Sequence, residues 1–340
     1  LYTNTVGINN IAIGDRALRE NTASNNTAVG FCAMRSNTTG TYNTAVGRSA
    51  LVSNTIGAGN TSVGFASLGG NTTGARNVAV GYYSSRANTV GTNNTSVGWG
   101  SLCCNTTSNN TAVGYSALRS NTSGAYNTAI GVNTLRNNTT GAQNIAIGQA
   151  TLYANTTGVR NVGVGSSSLR FNTYGVDNTA VGTNSLFSNT VGVRNNAFGN
   201  TALYSNTAGC DNTGIGRFAL KANTTGCDNI AIATNALYKN TTGNFNIAIG
   251  RDSLICNTVG TSNVAIGFQS LFCNTASSNT AVGFCSLRSN TTGTQNTAVG
   301  TSALQNNTTG TNNTGLGFQA LYGNTTGYSN TAVGRISLRN

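Results

Sequence analysis

The chain has 340 residues, with 44 Gly, no Pro, no His and a formal net charge of +12 from 18 Lys+Arg against 6 Asp+Glu. Regularly recurring Val, Ile and Leu exclude a disordered chain, and no apolar run approaches the ~20 residues of a membrane-spanning helix. Without His or a Cys-x-x-Cys pair a zinc site is not expected, nor any other cofactor, and the cationic excess favours anionic partners such as acidic polysaccharide, a membrane surface or nucleic acid, the last without specific sequence reading.

The motif Asn-x-x-x-Gly, with Ala for Gly once, starts twenty times between Asn10 and Asn330. Successive starts are 17 residues apart except from Asn10 to Asn26, Asn94 to Asn110 and Asn263 to Asn279, where they are 16 apart. The unit reads N-T-A-V-G-x-x-A-L-x-x-N-T-T-G-x-x, and its positions are numbered here as slots 1 to 17. A repeat this short cannot bury its own apolar face, so stacking of successive units is expected. Gly and β-branched residues, without a 3.6-residue stripe, exclude a helix. The fold expected is all-β: a single parallel β-solenoid over 1–340, of about twenty 17-residue coils with two short strands in each.

In chain order within a unit, slot 1 is Asn in every case. Slot 2 is Thr, Val or Ile except at Asn196, and slot 4 is always Val, Ile, Leu or Phe, so slots 2 to 5 read as a strand with slots 2 and 4 on one face. Slot 4 stacked on slot 4, and slot 9 on slot 9, would make a thin core. Slot 3 accepts only Ala, Ser or Gly and slot 5 is Gly except at Ala233, so the other face is closely approached. Slots 7 to 10 read as a second strand, with Leu at slot 9 except at Met34 and Ser85.

Slot 10 gathers Arg119, Arg136, Tyr153, Arg170, Phe187, Tyr204, Tyr238 and Phe272 into a file that slot 6 widens with Tyr82, Trp99 and Tyr115. Such a ribbon suits sugar rings or anionic polymers, or else simply covers the surface or makes lateral contacts. Slots 12 and 13 are Asn-Thr in every unit, and stacked amides such as Asn121, Asn138, Asn155, Asn172 and Asn189 are expected to form a hydrogen-bonded ladder. Slots 14 to 17 form a turn, and the short units drop the slot-15 Gly.

The phrase Asn127-Thr128-Ala129-Ile130-Gly131 and its nineteen relatives resemble the head repeats of YadA-like trimeric autotransporter adhesins and related fibre repeats. The resemblance covers the whole chain and implies a left-handed parallel β-roll, trimerisation and adhesion at a surface. The unit here is longer than the family's, the extra residues falling around Asn-Thr-Thr-Gly, and no coiled-coil stalk or anchor barrel accompanies it.

Eleven slot-12 residues begin an Asn-Thr-Thr or Asn-Thr-Ser triplet: Asn37, Asn71, Asn105, Asn121, Asn138, Asn155, Asn223, Asn240, Asn290, Asn307 and Asn324. Each is a candidate N-glycan acceptor, although a structural ladder explains the Asn better, since slot 12 stays Asn where the triplet is absent. Cys210 and Cys227 share slot 16 of adjacent coils, and Cys256 and Cys273 share slot 11, spacings that suit disulfides in an extracellular or cell-surface setting. Asp211 and Asp228 stack at slot 17, but chance placement on a turn outweighs a catalytic pair, and no enzyme is expected. Slot-13 Thr in every coil raises ice binding as a minor reading, against which slots 6 and 10 bring bulky neighbours. Leu1 falls at slot 9 and Asn340 at slot 11, so a segment of a longer fibre, or end-to-end self-stacking, is expected. The leading functional expectation is a structural or adhesive extracellular fibre, with a carbohydrate-binding surface module as the alternative.

Overall fold

The computed structural model describes residues 2–339; the slot assignments of Leu1 and Asn340 lie outside the described residues. The protein is an all-β parallel solenoid with one coil per repeat, and it divides into two compact units, Leu1–Tyr174 and Gly175–Asn340. The first contains strands β1 (Ile11–Ile13) to β10 (Val162–Val164), and the second β11 (Thr179–Val181) to β20 (Thr331–Val333). Each strand is three residues long, and within each unit neighbouring strands pair in parallel through the same slots, as Thr27, Ala28 and Val29 do with Thr44, Ala45 and Val46. The 16-residue steps keep this register, Thr95 facing Thr111 and Val264 facing Thr280. The missing residue is absorbed in the turn.

The strand faces are the reverse of the sequence expectation. Slot 3 points inward: Ala28, Ala45, Ala112 and Ala129 are fully buried, whereas Val46, Val97, Ile130 and Val299 at slot 4 are exposed. Space decides this. A Cβ built on Gly163, at slot 3, would come within 2.6 Å of the Thr151 side chain at slot 8, and one on Gly214 within 3.4 Å of Leu203 at slot 9, so slot 3 has room for small residues only. The core is therefore made of slot-3 and slot-8 small residues and the slot-9 Leu column, with Leu102, Leu118, Leu135 and Leu152 fully buried in the first unit.

The second expected strand is not one. Slots 7 and 9 adopt positive φ in every coil, for example Ser116 at 53° and Leu118 at 51°, and the segment is a turn. An alternation of left- and right-handed residues cannot form a twisted β-strand. Its N–H groups still bond between coils: Ser116 to the Trp99 carbonyl at 2.9 Å, and Leu118 to the Thr134 carbonyl at 2.9 Å. These bonds hold Leu in a backbone conformation that bulky residues seldom adopt.

Two buried amide columns complete the coil. In slot 12, Asn138 Nδ2 donates to Asn121 Oδ1 at 2.8 Å, Asn155 Nδ2 to Asn138 Oδ1 at 2.7 Å, and Asn172 Nδ2 to Asn155 Oδ1 at 2.8 Å. In the second unit Asn206 Nδ2 donates to Asn189 Oδ1 at 2.9 Å. In slot 1, Asn127 Oδ1 accepts the backbone N–H of Asn144 at 3.0 Å and its Nδ2 at 3.2 Å. Both columns converge on the slot-15 carbonyl, since Asn127 Nδ2 and Asn138 Nδ2 each donate to Gly141 O at 2.8 Å. Slot 15 is Gly for this reason: a Cβ on Gly124 would overlap the carbonyl oxygen of Gly141.

Candidate functional site

The edge formed by slots 6, 7 and 10 concentrates the long side chains. In the first unit Phe65 stacks on Tyr82 with ring centroids 5.1 Å apart, Tyr82 lies parallel to Trp99 at 6.3 Å, and Trp99 stacks on Tyr115 at 4.9 Å. Identical slots recur one coil rise apart, about 4.8 Å, close to the distance at which aromatic rings stack. The repeat spacing thus makes the ladder. Arg119 lies 5.2 Å from the Trp99 centroid, while Arg136 and Arg170 flank Tyr153 at 6.0 and 5.9 Å. Arg136 also donates from Nη1 to the Tyr153 hydroxyl at 3.3 Å.

The second unit repeats the pattern with different residues. Phe187 and Tyr204 stack at 4.9 Å with rings 4° apart, Lys221 Nζ donates to the Tyr238 hydroxyl at 3.2 Å, and Arg288 lies 5.4 Å from the Phe272 centroid. The sequence-identified members of the slot-10 file are thus brought together within each unit. Tyr83 and Phe218, at slot 7, belong to the same edge and were missed: Arg86 lies 4.5 Å from the Tyr83 centroid and Arg217 4.4 Å from that of Phe218. Slot 7 is aromatic only at these two coils, so no file announced them. Hydrogen bonding to Tyr83, followed by burial, raises the pKa of Tyr82 above the ordinary phenol value.

This arrangement limits what the edge can bind. Both faces of Tyr82 and of Trp99 are covered by neighbouring rings, so these side chains offer their edges, and the surface adds Tyr hydroxyls and guanidinium N–H donors. Such groups suit carboxylates and hydroxyls better than flat stacking partners.

The glycan acceptor reading meets a steric obstacle. Asn37, Asn71, Asn105, Asn121, Asn138, Asn155, Asn223, Asn240, Asn290 and Asn307 are fully buried, with Nδ2 committed to bonds such as Asn71 to Asn54 Oδ1 at 2.8 Å and to Gly74 O at 2.9 Å. Asn324 is half-buried, and its Nδ2 is likewise bonded to Asn307 Oδ1 at 2.9 Å. The folded coil has no room for a sugar on these nitrogens.

All eight cysteines are free thiols. The Cys210 backbone N–H donates to Cys227 Sγ at 3.0 Å, and hydrogen bonding with Cys227 pushes the Cys210 thiol up to about 12. Burial raises the Cys273 thiol, with Cys256 adding to the effect. Of the stacked carboxylates, Asp211 is taken by Arg194 in a two-pronged pair, Nε to Oδ1 and Nη2 to Oδ2 both at 2.7 Å, which holds its carboxyl below the usual range. The slot-13 Thr hydroxyls bond along the stack, Thr139 Oγ1 to Thr156 O at 3.0 Å, so they serve coil stacking.

Among the described residues no helix is long and apolar enough to cross a membrane, and no cluster of His, Cys, Asp or Glu is able to hold a metal ion. No protein-family model, no curated protein and no solved structure matches the chain.

Proposed function

We propose that this chain is the structural body of an extracellular or cell-surface fibre, a stiff repeat array that associates with copies of itself. The observation that carries this reading is where the invariant residues go: Asn at slots 1 and 12 and most of the slot-13 Thr hydroxyls enter bonds between coils. A catalytic or ligand-binding protein keeps invariant polar residues converging on an accessible cleft, whereas here the Asn side chains face each other inside the coil. The outward Val and Ile of slot 4 form exposed apolar files suited to lateral contact between copies, in the manner of the adhesin repeats that the motif resembles. Negative-stain microscopy and sedimentation across a concentration series test the reading. Filaments or bundles that grow with concentration are expected; discrete single-chain particles at every concentration would overturn it, and protease shaving of intact cells tests the placement.

A further inference from the structure

We propose that the first unit carries a binding site for a linear acidic polysaccharide, centred on a notch at Gly69, Gly70 and Arg86. This is independent of the fibre reading, because it concerns one edge and not self-association.

Among the twenty repeats only one has Gly at both slots 10 and 11, the coil of Gly69 and Gly70. Loss of both side chains opens a notch of about 470 Å³ bounded by Val52, Ala66, Arg86 and Cys103. It lies beside the four-ring aromatic ladder Phe65–Tyr82–Trp99–Tyr115, which includes the chain's one Trp. Uniform structural repeats give no reason for this concentration of exceptions within four coils. A local ligand does.

Charge identifies the class of ligand. Residues 21–174 contain eight Arg and no Asp or Glu, and six of the Arg lie on this edge: Arg35, Arg48, Arg86, Arg119, Arg136 and Arg170. Several are held in place by rings, Arg86 over Tyr83 at 4.5 Å, Arg48 between Phe31 at 5.8 Å and Phe65 at 5.7 Å. A guanidinium stacked by its face keeps its in-plane N–H donors for a carboxylate. Arg86 and Arg119 stand two coils apart, roughly 10 Å, and Arg119 and Arg136 one coil apart, roughly 5 Å, a straight cationic row for an extended polymer. Single-stranded nucleic acid is the competing polyanion, but its binding rests on bases stacked on open ring faces, and both faces of Tyr82 and Trp99 are taken by neighbouring rings.

The test measures binding of the full chain to polygalacturonate, to neutral dextran and to an oligothymidylate, using wild type, Arg86→Gln, Gly69→Val and Arg76→Gln. Gly69→Val fills the notch with a side chain that slot 10 already holds at Val52, and Arg76→Gln removes the same charge at slot 17, away from this edge. Polygalacturonate is expected to bind in preference to both other probes, with roughly tenfold loss in Arg86→Gln and in Gly69→Val and none in Arg76→Gln. Equal losses in Arg76→Gln and Arg86→Gln would reduce the effect to net charge. That result, binding of dextran or oligothymidylate as strong as that of polygalacturonate, or no binding at all, overturns the proposal. Circular dichroism identifies any variant that fails to fold, and Arg86→Gln, an edge substitution, carries the test if Gly69→Val does.

Discussion

Asn138 takes part in three buried hydrogen bonds, donating to Asn121 Oδ1 and Gly141 O and accepting from Asn155 Nδ2. Asn88 makes only the two donor bonds, to Asn71 Oδ1 and Gly91 O, and its Oδ1 is left without a partner. The next coil is one of the short ones, in which Asn105 Nδ2 turns to Thr107 O. Asn257 Oδ1 is orphaned in the same way beneath Asn274, whose Nδ2 bonds Ala276 O. Asn138→Ala is therefore expected to destabilise by about 2–4 kcal/mol, and Asn88→Ala by about 1 kcal/mol less, in urea or thermal melts. At slot 5, Ala233 holds φ 107°, a conformation otherwise taken there by Gly, so Ala233→Gly should stabilise by about 1 kcal/mol despite adding backbone freedom. A lower melting midpoint for that variant would show that the backbone carries no strain there. The Asn ladder was legible because an amide kept at every period must meet its own copies once the coils stack. The orphaned oxygens of Asn88 and Asn257 were not, since they arise where a full-length coil meets a short one.

For the strand, the question is which face is inside. Ala129 is fully buried at slot 3 and Ile130 beside it is exposed at slot 4. Ala129→Val should overpack the core and cost about 1–3 kcal/mol, while Ile130→Thr should cost under about 1 kcal/mol. Denaturation midpoints in the opposite order would restore the inward slot 4. Apolar character misled here because a β-branched residue normally marks a buried face, whereas this coil is too thin to hold one. The short coils show a compensation as well: Ser24, Ser108 and Ser277 accept the backbone N–H of Ile8, Thr92 and Thr261 through Oγ at 3.1, 2.9 and 3.0 Å. Ser before slot 17 in all three short units was visible in the sequence, but its partner lies 16 residues away and only stacking brings the two together.

At the scale of the whole molecule, stability should scale with whole periods, because each coil bonds chiefly to its neighbours. Deleting residues 127–143 joins slot 17 to slot 1 and should leave a folded protein with a β-type circular dichroism spectrum. Deleting 127–134 breaks register and should abolish cooperative unfolding; equal tolerance of both deletions would contradict one coil per period. With 6 acidic residues, pH dependence should be slight. The Arg194 bond lowers the folded-state pKa of Asp211, so its stabilisation is present above the ordinary carboxylate value and fades as pH falls through the lowered one. The pair is partly exposed, so Asp211→Asn should shift the melting midpoint only slightly at neutral pH and not at all in strong acid.

The sequence by itself determined the period, the parallel stacking in register, the invariant amide columns and the slot-6 and slot-10 members of the Arg and aromatic edge, though not Tyr83 and Phe218 at slot 7. Those follow from repetition, since identical residues one coil apart must meet. Only the tertiary structure decided that Ala and not Val faces inward, that the Leu segment turns through left-handed residues instead of forming a second strand, that the triplet Asn residues are sealed in the core, and that ring faces cover one another. Each of these depends on the width of the coil, which is set by contacts between slots distant in the repeat and not by the pattern within any one of them.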